Sequence, residues 1–198
     1  MNLPNKLTLF RVILVPIMVI IPFLNIQGEV FNIPIYMIIM DIIFIIASIT
    51  DKLDGSIARS KNLITTFGKF LDPIADKILV LAAMTILVEQ NKLPAWIPIV
   101  ILFREFVVSG YRLVAVEKGG TVVAASIWGK LKTVTQMVAI IFAFLDTYYF
   151  GAIFVENLTG YQFALNLIVT LLMSLCVIAT IFSGYDYIKN SKELFKDI

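Results

Sequence analysis

The sequence contains no histidine, so any catalysis or metal binding must proceed without imidazole. It holds a single cysteine, Cys176, inside an apolar run, so no internal disulfide can form. Charge is scarce: 15% of the 198 residues are Asp, Glu, Lys or Arg, against roughly 25% in soluble domains. The net charge of +2 is too small for a duplex-binding surface, and no nucleic-acid partner is expected. What abounds is apolar. Such residues make up 60% of the chain, and the mean hydropathy is +0.94. A soluble core of this size cannot hide so many aliphatic and aromatic side chains. The seven methionines read as packing, not as a soft-metal site.

A membrane helix needs about 20 mainly apolar residues. Six stretches qualify, near 7–26, 35–57, 66–88, 95–117, 125–149 and 161–188. Gly, Pro or polar residues separate them: Gln27-Gly28-Glu29, Asn62-Leu63, Asn91 to Pro94, Gly119-Gly120-Thr121 and Glu156-Asn157. Asn2 to Lys6, ahead of the first span, is expected as a short interfacial helix. The pattern predicts an all-α integral membrane protein, one membrane-embedded domain over 1–198. Alternating the spans sorts the basic residues. Lys6, Arg11, Lys52, Arg59, Lys61, Lys69, Arg112, Lys118, Lys130, Lys132, Lys189, Lys192 and Lys196 fall to one side and Lys92 alone to the other, while Lys77 and Arg104 lie deeper and are assigned to neither. Excess Lys and Arg mark the cytoplasmic side, so both termini are expected there, in a multi-pass protein of the cell membrane.

Four carboxylates interrupt this apolar pattern. Asp51 and Asp54 lie at the end of the second span, Asp72 and Asp76 early in the third. A charge at the bilayer centre costs about 2.5–3.5 kcal/mol on insertion scales, so four in lipid would cost on the order of 10 kcal/mol. They must line a wet cavity or bind cations. Residues three or four apart share a helix face, and the short connection near 58–66 makes the two helices antiparallel neighbours, so the four converge. Bare, they would repel one another. Two divalent ions would neutralise them, and oxygen-only ligation selects a hard cation: Mg²⁺ or Mn²⁺, with Ca²⁺ as a third candidate. Gly55, Ala58 and Gly68 leave room for a bulky ligand, and Arg59 offers a fork suited to phosphate. This inventory suits phosphoryl-group chemistry. Asp41, alone near the opposite face, is expected to be structural.

The run Asp51-x-x-Asp54-Gly55-x-x-Ala58-Arg59, then Gly68, Asp72 and Asp76, resembles the signature of the CDP-alcohol phosphotransferases at all eight fixed positions. Three further segments resemble the branch of that family that makes phosphatidylglycerophosphate. They are Asn2 to Arg11, Arg104-Glu105-Phe106 with Ser109, Gly110 and Arg112, and Gly129-Lys130-Leu131-Lys132-Thr133. The resemblance implies six membrane helices, cytoplasmic termini, an active site facing the cytoplasm and a homodimer. It implies transfer of the phosphatidyl group of CDP-diacylglycerol to sn-glycerol 3-phosphate, with release of CMP. Asp51, Asp54, Asp72 and Asp76 would hold two Mg²⁺ or Mn²⁺ ions, Asp51 and Asp72 bridging both, and Asp76 would be the general base.

On the same resemblance, Gly55, Ala58, Arg59 and Gly68 are expected to border CDP-diacylglycerol. Asn5, Thr8 and Arg11 are expected to cover its nucleotide side, with capping of the first helix as the rival reading. Arg11 is placed close enough to the interface to snorkel. Arg112, Lys130 and Lys132, with the hydroxyl of Thr133, are candidates for the acceptor phosphate. Arg104 lies deeper, where an ion pair with Glu105 rivals substrate contact. Two other functions stand beside this one. The acceptor could be inositol phosphate, serine or phosphatidylglycerol, or the acidic cluster could serve a divalent-cation transporter.

Overall fold

A computed structural model describes residues 2–60, 65–117 and 126–190. The expected turns at Asn62-Leu63 and Gly119-Gly120-Thr121, and the tail from 191, lie outside the described residues. The described chain is built on six long helices: α1 (Leu3–Ile20), α2 (Ile35–Ser60), α3 (Thr66–Glu89), α4 (Trp96–Glu117), α5 (Ile127–Leu145) and α6 (Gly160–Asn190). Each coincides with one apolar run of the sequence. Among the described residues, three segments have both the length and the apolar composition to cross a membrane: Leu3–Leu24, Ile127–Leu145 and Gly160–Lys189. The other three helices, α2, α3 and α4, are of similar length but carry the acidic residues of the site.

Two expectations are corrected. Asn2 to Lys6 is not a separate interfacial helix. Asn2 caps α1, its side chain accepting from the Asn5 amide at 3.1 Å, and Pro4 takes a first-turn position that needs no amide hydrogen. The all-helical picture also omits a small hairpin, in which β1 (Glu29–Val30) pairs antiparallel with β2 (Ile33–Pro34). Its turn residues Phe31 and Asn32 both have positive φ, 53° and 62°, as a tight two-residue turn demands.

α1 packs against α2 and α3, α5 lies along α6, and α4 and α2 close on α6 and α5 respectively. Met18, Met37, Met40, Phe44, Leu79, Leu87, Ile140 and Phe144 are buried between them. Phe44 and Phe144 meet at 6.3 Å between ring centroids. The outward faces are equally apolar, with Ile13, Ile17, Ile42, Ile49, Phe103, Phe106, Leu171 and Ile181 exposed. Such a continuous apolar exterior needs a lipid solvent.

At the end away from the acidic residues the loops are laced together. The Phe150 amide donates to the Lys92 carbonyl at 2.9 Å, and the Lys92 ammonium donates to the carbonyls of Phe144 and Asp146. Asp146 accepts from the Tyr148 amide at 3.0 Å and from the Asn166 amide group at 2.7 Å. Burial pulls the Lys92 amine down to about 8.

Candidate active site

The site is assembled where the start of α1 meets the end of α2 and the start of α3. Thr65 begins α3 by accepting from the Gly68 amide at 3.0 Å, and its hydroxyl donates to the Asn5 side chain at 2.9 Å. That couples the N-termini of α1 and α3. Gly68 permits this approach: a Cβ there would stand 3.1 Å from Asn5 Oδ1 and 3.2 Å from Thr65 Oγ1. The space over Gly68 thus holds Asn5 and Thr65.

Thr8, one turn along α1, joins the two acidic helices. Its hydroxyl lies 2.7 Å from Asp72 Oδ1 and 3.3 Å from Asp54 Oδ2, and also within reach of the Pro4 carbonyl. One hydroxyl proton serves three acceptors, so its orientation answers to the charge of its neighbours. Arg11 lies a further turn in. It is wholly buried, which corrects the expectation that it snorkels. Its Nη1 stands 2.7 Å from Asp51 Oδ1, and its Nη2 is bonded to Asp54 Oδ2. Lipid-side charge burial is tolerable only with such pairing. Arg11 is the internal counter-ion of the acidic cluster. Pro73, directly after Asp72, removes one amide hydrogen from α3 at this point.

Asp51, Asp54, Gly55 and Asp72 line one end of a cleft of about 690 Å³ between α2 and α5. Ile45, Ile49, Val134, Val138 and Ile141 line the rest. Asp76 opens instead into a smaller, more enclosed cavity of about 70 Å³, with Lys77, Glu105, Lys132, Thr133 and Gln136. Thr133 borders both spaces. Three of the predicted acids therefore share one cleft, and the fourth faces the adjoining one.

Among the described residues no three acidic side chains already stand at metal-ligand spacing. The donor set nonetheless fits hard divalent ions. It is all carboxylate oxygen, and Asp54 and Asp72 already converge on a single hydroxyl. Arg11 contacts Oδ1 of Asp51 and Oδ2 of Asp54, so an ion would share these carboxylates with it or displace it.

The cations expected at the acceptor divide. Lys132 is buried in the smaller cavity and donates to Glu105 Oε1 at 2.8 Å. Thr133 stands beside it, its hydroxyl donating to the Gly129 carbonyl at 3.1 Å. Arg104 is turned toward α6. It bonds Ser183, pairs with Glu105 at 3.0 Å and packs against Gly129 and Gly184. Arg112 donates twice to the Tyr187 hydroxyl, at 2.9 and 2.7 Å. Lys130 is exposed. The structure does not bring Arg104, Arg112 or Lys130 to the lining of either cavity. The side chains of Ala58 and Arg59 lie outside the described residues. Asp41 is buried on α2, ten residues before Asp51 and about 15 Å from it along the helix.

Sequence reasoning assigned no site role to Lys77, Glu105 or Gln136. Lys77 adjoins Asp76, and Glu105 lies four residues before Ser109, to which Lys77 donates. Spacing alone could have grouped each pair, but could not have brought Lys77 and Glu105 into one cavity.

Comparison with known proteins assigns the chain to a family. The family model described as CDP-alcohol phosphatidyltransferase matches residues 1–183, and the chain belongs to that family. A Bacillus subtilis relative named CDP-diacylglycerol--glycerol-3-phosphate 3-phosphatidyltransferase is 44% identical, over 98% of this chain and 97% of its own. One of the same name from Haemophilus influenzae is 44% identical over 70% and 73%. A probable phosphatidylglycerophosphate synthase from Mycobacterium tuberculosis is 36% identical over 94% and 80%.

Proposed function

We propose that this protein transfers the phosphatidyl group of CDP-diacylglycerol to sn-glycerol 3-phosphate, yielding phosphatidylglycerophosphate and CMP. The observation that carries the reading is the pair of adjoining spaces. One is an acidic cleft continued by apolar walls, and the other a small cavity holding Asp76 and Lys132, with Thr133 at their junction. A diphosphate belongs at the acidic mouth, and acyl chains belong along Ile45, Val134 and Ile141. A compact polar acceptor belongs in the smaller cavity. The names of the full-length relatives specify the same donor and acceptor.

In this reading the acceptor's primary hydroxyl attacks the phosphorus that carries the diacylglycerol. One P–O bond forms, the bond to the CMP oxygen breaks, and the hydroxyl proton passes to Asp76. Lys132 holds the acceptor phosphate so that the hydroxyl points to the cleft. Thr8 and Arg11 keep Asp51, Asp54 and Asp72 in one array before substrate arrives. Two Mg²⁺ or Mn²⁺ ions held by Asp51, Asp54, Asp72 and Asp76 would supply charge neutralisation at the diphosphate and the leaving group. All six helices span the membrane in this reading, the acidic end faces the cytoplasm where basic residues accumulate, and the protein works as a homodimer.

The test is acceptor competition. Purified protein is supplied with CDP-diacylglycerol and labelled sn-glycerol 3-phosphate, serine or inositol phosphate. Label should enter lipid from glycerol 3-phosphate with equimolar CMP. Preferential incorporation of serine would overturn the acceptor, and metal flux without CMP release would overturn the chemistry.

A further inference from the structure

Glu105 sits on α4 yet faces the small cavity, and a single carboxylate oxygen accepts from two helices. Lys132 Nζ of α5 lies 2.8 Å away and Arg104 Nη1 of α4 lies 3.0 Å away. Lys132 is 5% exposed, so its ammonium has little water to fall back on. Lys77 and Gln136 complete the polar wall, and Lys77 is already committed to Ser109. Lys132 is thus the buried cation most directly offered to an anionic acceptor, and Glu105 holds it.

We infer that Glu105 is a positioning residue that acts through Lys132 as a resident, displaceable counter-ion and sets how much negative charge an acceptor must bring. The inference rests on the acceptor cavity proposed above. Without a carboxylate there, a lone buried ammonium would bind any small anion tightly, or turn to Asp76 on the same wall. With it, an incoming anion must share or take over the Lys132 hydrogen bonds while standing within a few ångströms of a like charge. A dianionic phosphate monoester gains enough from Lys132 to do so, and a singly charged or zwitterionic acceptor does not. The same carboxylate recaptures Lys132 when product leaves, which keeps the site exchangeable.

The sign follows from Coulomb's law: removing a negative charge beside an anion site tightens anion binding, whereas a merely structural role would weaken it or leave it unchanged. The experiment uses inorganic phosphate as an inhibitor competitive with the acceptor, assayed by CMP release from CDP-diacylglycerol. Glu105→Gln is expected to lower the phosphate inhibition constant about tenfold. It should also lower the KM for glycerol 3-phosphate, while the KM for CDP-diacylglycerol stays within about twofold. Glu105→Asp keeps the charge but draws it back from Lys132; about threefold tightening is expected, and this variant decides the matter should the amide variant not fold. An unchanged or weakened phosphate constant, with the CDP-diacylglycerol KM preserved, overturns the role of Glu105. Phosphate inhibition is read on whatever acceptor the wild-type protein uses, so a wrong acceptor assignment would fail separately, in the wild type.

Discussion

Arg11 provides the sharpest test of how the acidic cluster is held. It is wholly buried and reaches both Asp51 and Asp54. Arg11→Gln keeps a polar side chain of similar reach but removes the only positive charge bonded to those acids among the described residues. Removing one partner of a buried pair costs about 3–5 kcal/mol. The Asp51 side chain is 37% exposed, so water recovers part of that, and the lower figure is the better expectation. At about 2–4 °C per kcal/mol for a chain of this size, melting in detergent should fall by about 10 °C in chelator. A divalent ion should then do for the variant what Arg11 does for the wild type. Ligand at a thousandfold over Kd stabilises by about 4 kcal/mol, enough to close the gap. The assay is thermal unfolding of both proteins in EDTA and in saturating Mn²⁺ or Mg²⁺. Metal should raise the variant markedly more than the wild type. A variant as stable as wild type in EDTA, or one that metal does not rescue, would refute the role given to Arg11 and to the acids as ion ligands.

Other outcomes follow from the same contacts. Asp72→Asn should abolish CMP release while the protein still inserts and elutes as wild type; normal turnover there removes Asp72 from the metal site. Lys132→Ala should raise the acceptor KM by about tenfold or more with little change for CDP-diacylglycerol, as expected for a charge-assisted contact to phosphate; equal effects on both substrates would dismiss it from the acceptor cavity. Gly68→Ala must push Asn5 or Thr65 aside, so melting should drop by a few degrees, about 1 kcal/mol, and a neutral result would mean that contact is soft. Lys92 is held below its unfolded value by burial, at about 8 against 10.5. Between those values the unfolded chain binds more protons, so stability should rise with pH through that window, by at most about 1.4 kcal/mol per unit. The slope should vanish in Lys92→Met, and a wild-type melting temperature flat from pH 8 to 10 contradicts the assignment.

The six helices were legible because each apolar run is long enough to leave one solution, and the polar gaps fall where the chain turns. The acidic pairs were legible too, since spacing of three and four on a helix fixes a shared face. Contacts between distant parts of the chain were not. Arg11 meets Asp54 across 43 positions, and Thr8 meets Asp72 across 64. Near a helix start, an arginine reads equally well as reaching outward to water. Its inward turn is decided by acids on other helices. Glu105 was weighed as a partner for Arg104, which it is. Its second bond, to Lys132, depends on how α4 and α5 are rotated, which no periodicity records. The hairpin at Glu29–Pro34 is too short to carry an alternating pattern.

The knot of Lys92, Asp146 and Asn166 has a consequence for traffic. It rivets the far end of the bundle with buried polar bonds whose rupture would strand an ammonium and several carbonyls. Parting the loops at this end would break those bonds together. In the proposed reading, donor, acceptor and both products pass by the opposite end, where the two cavities lie.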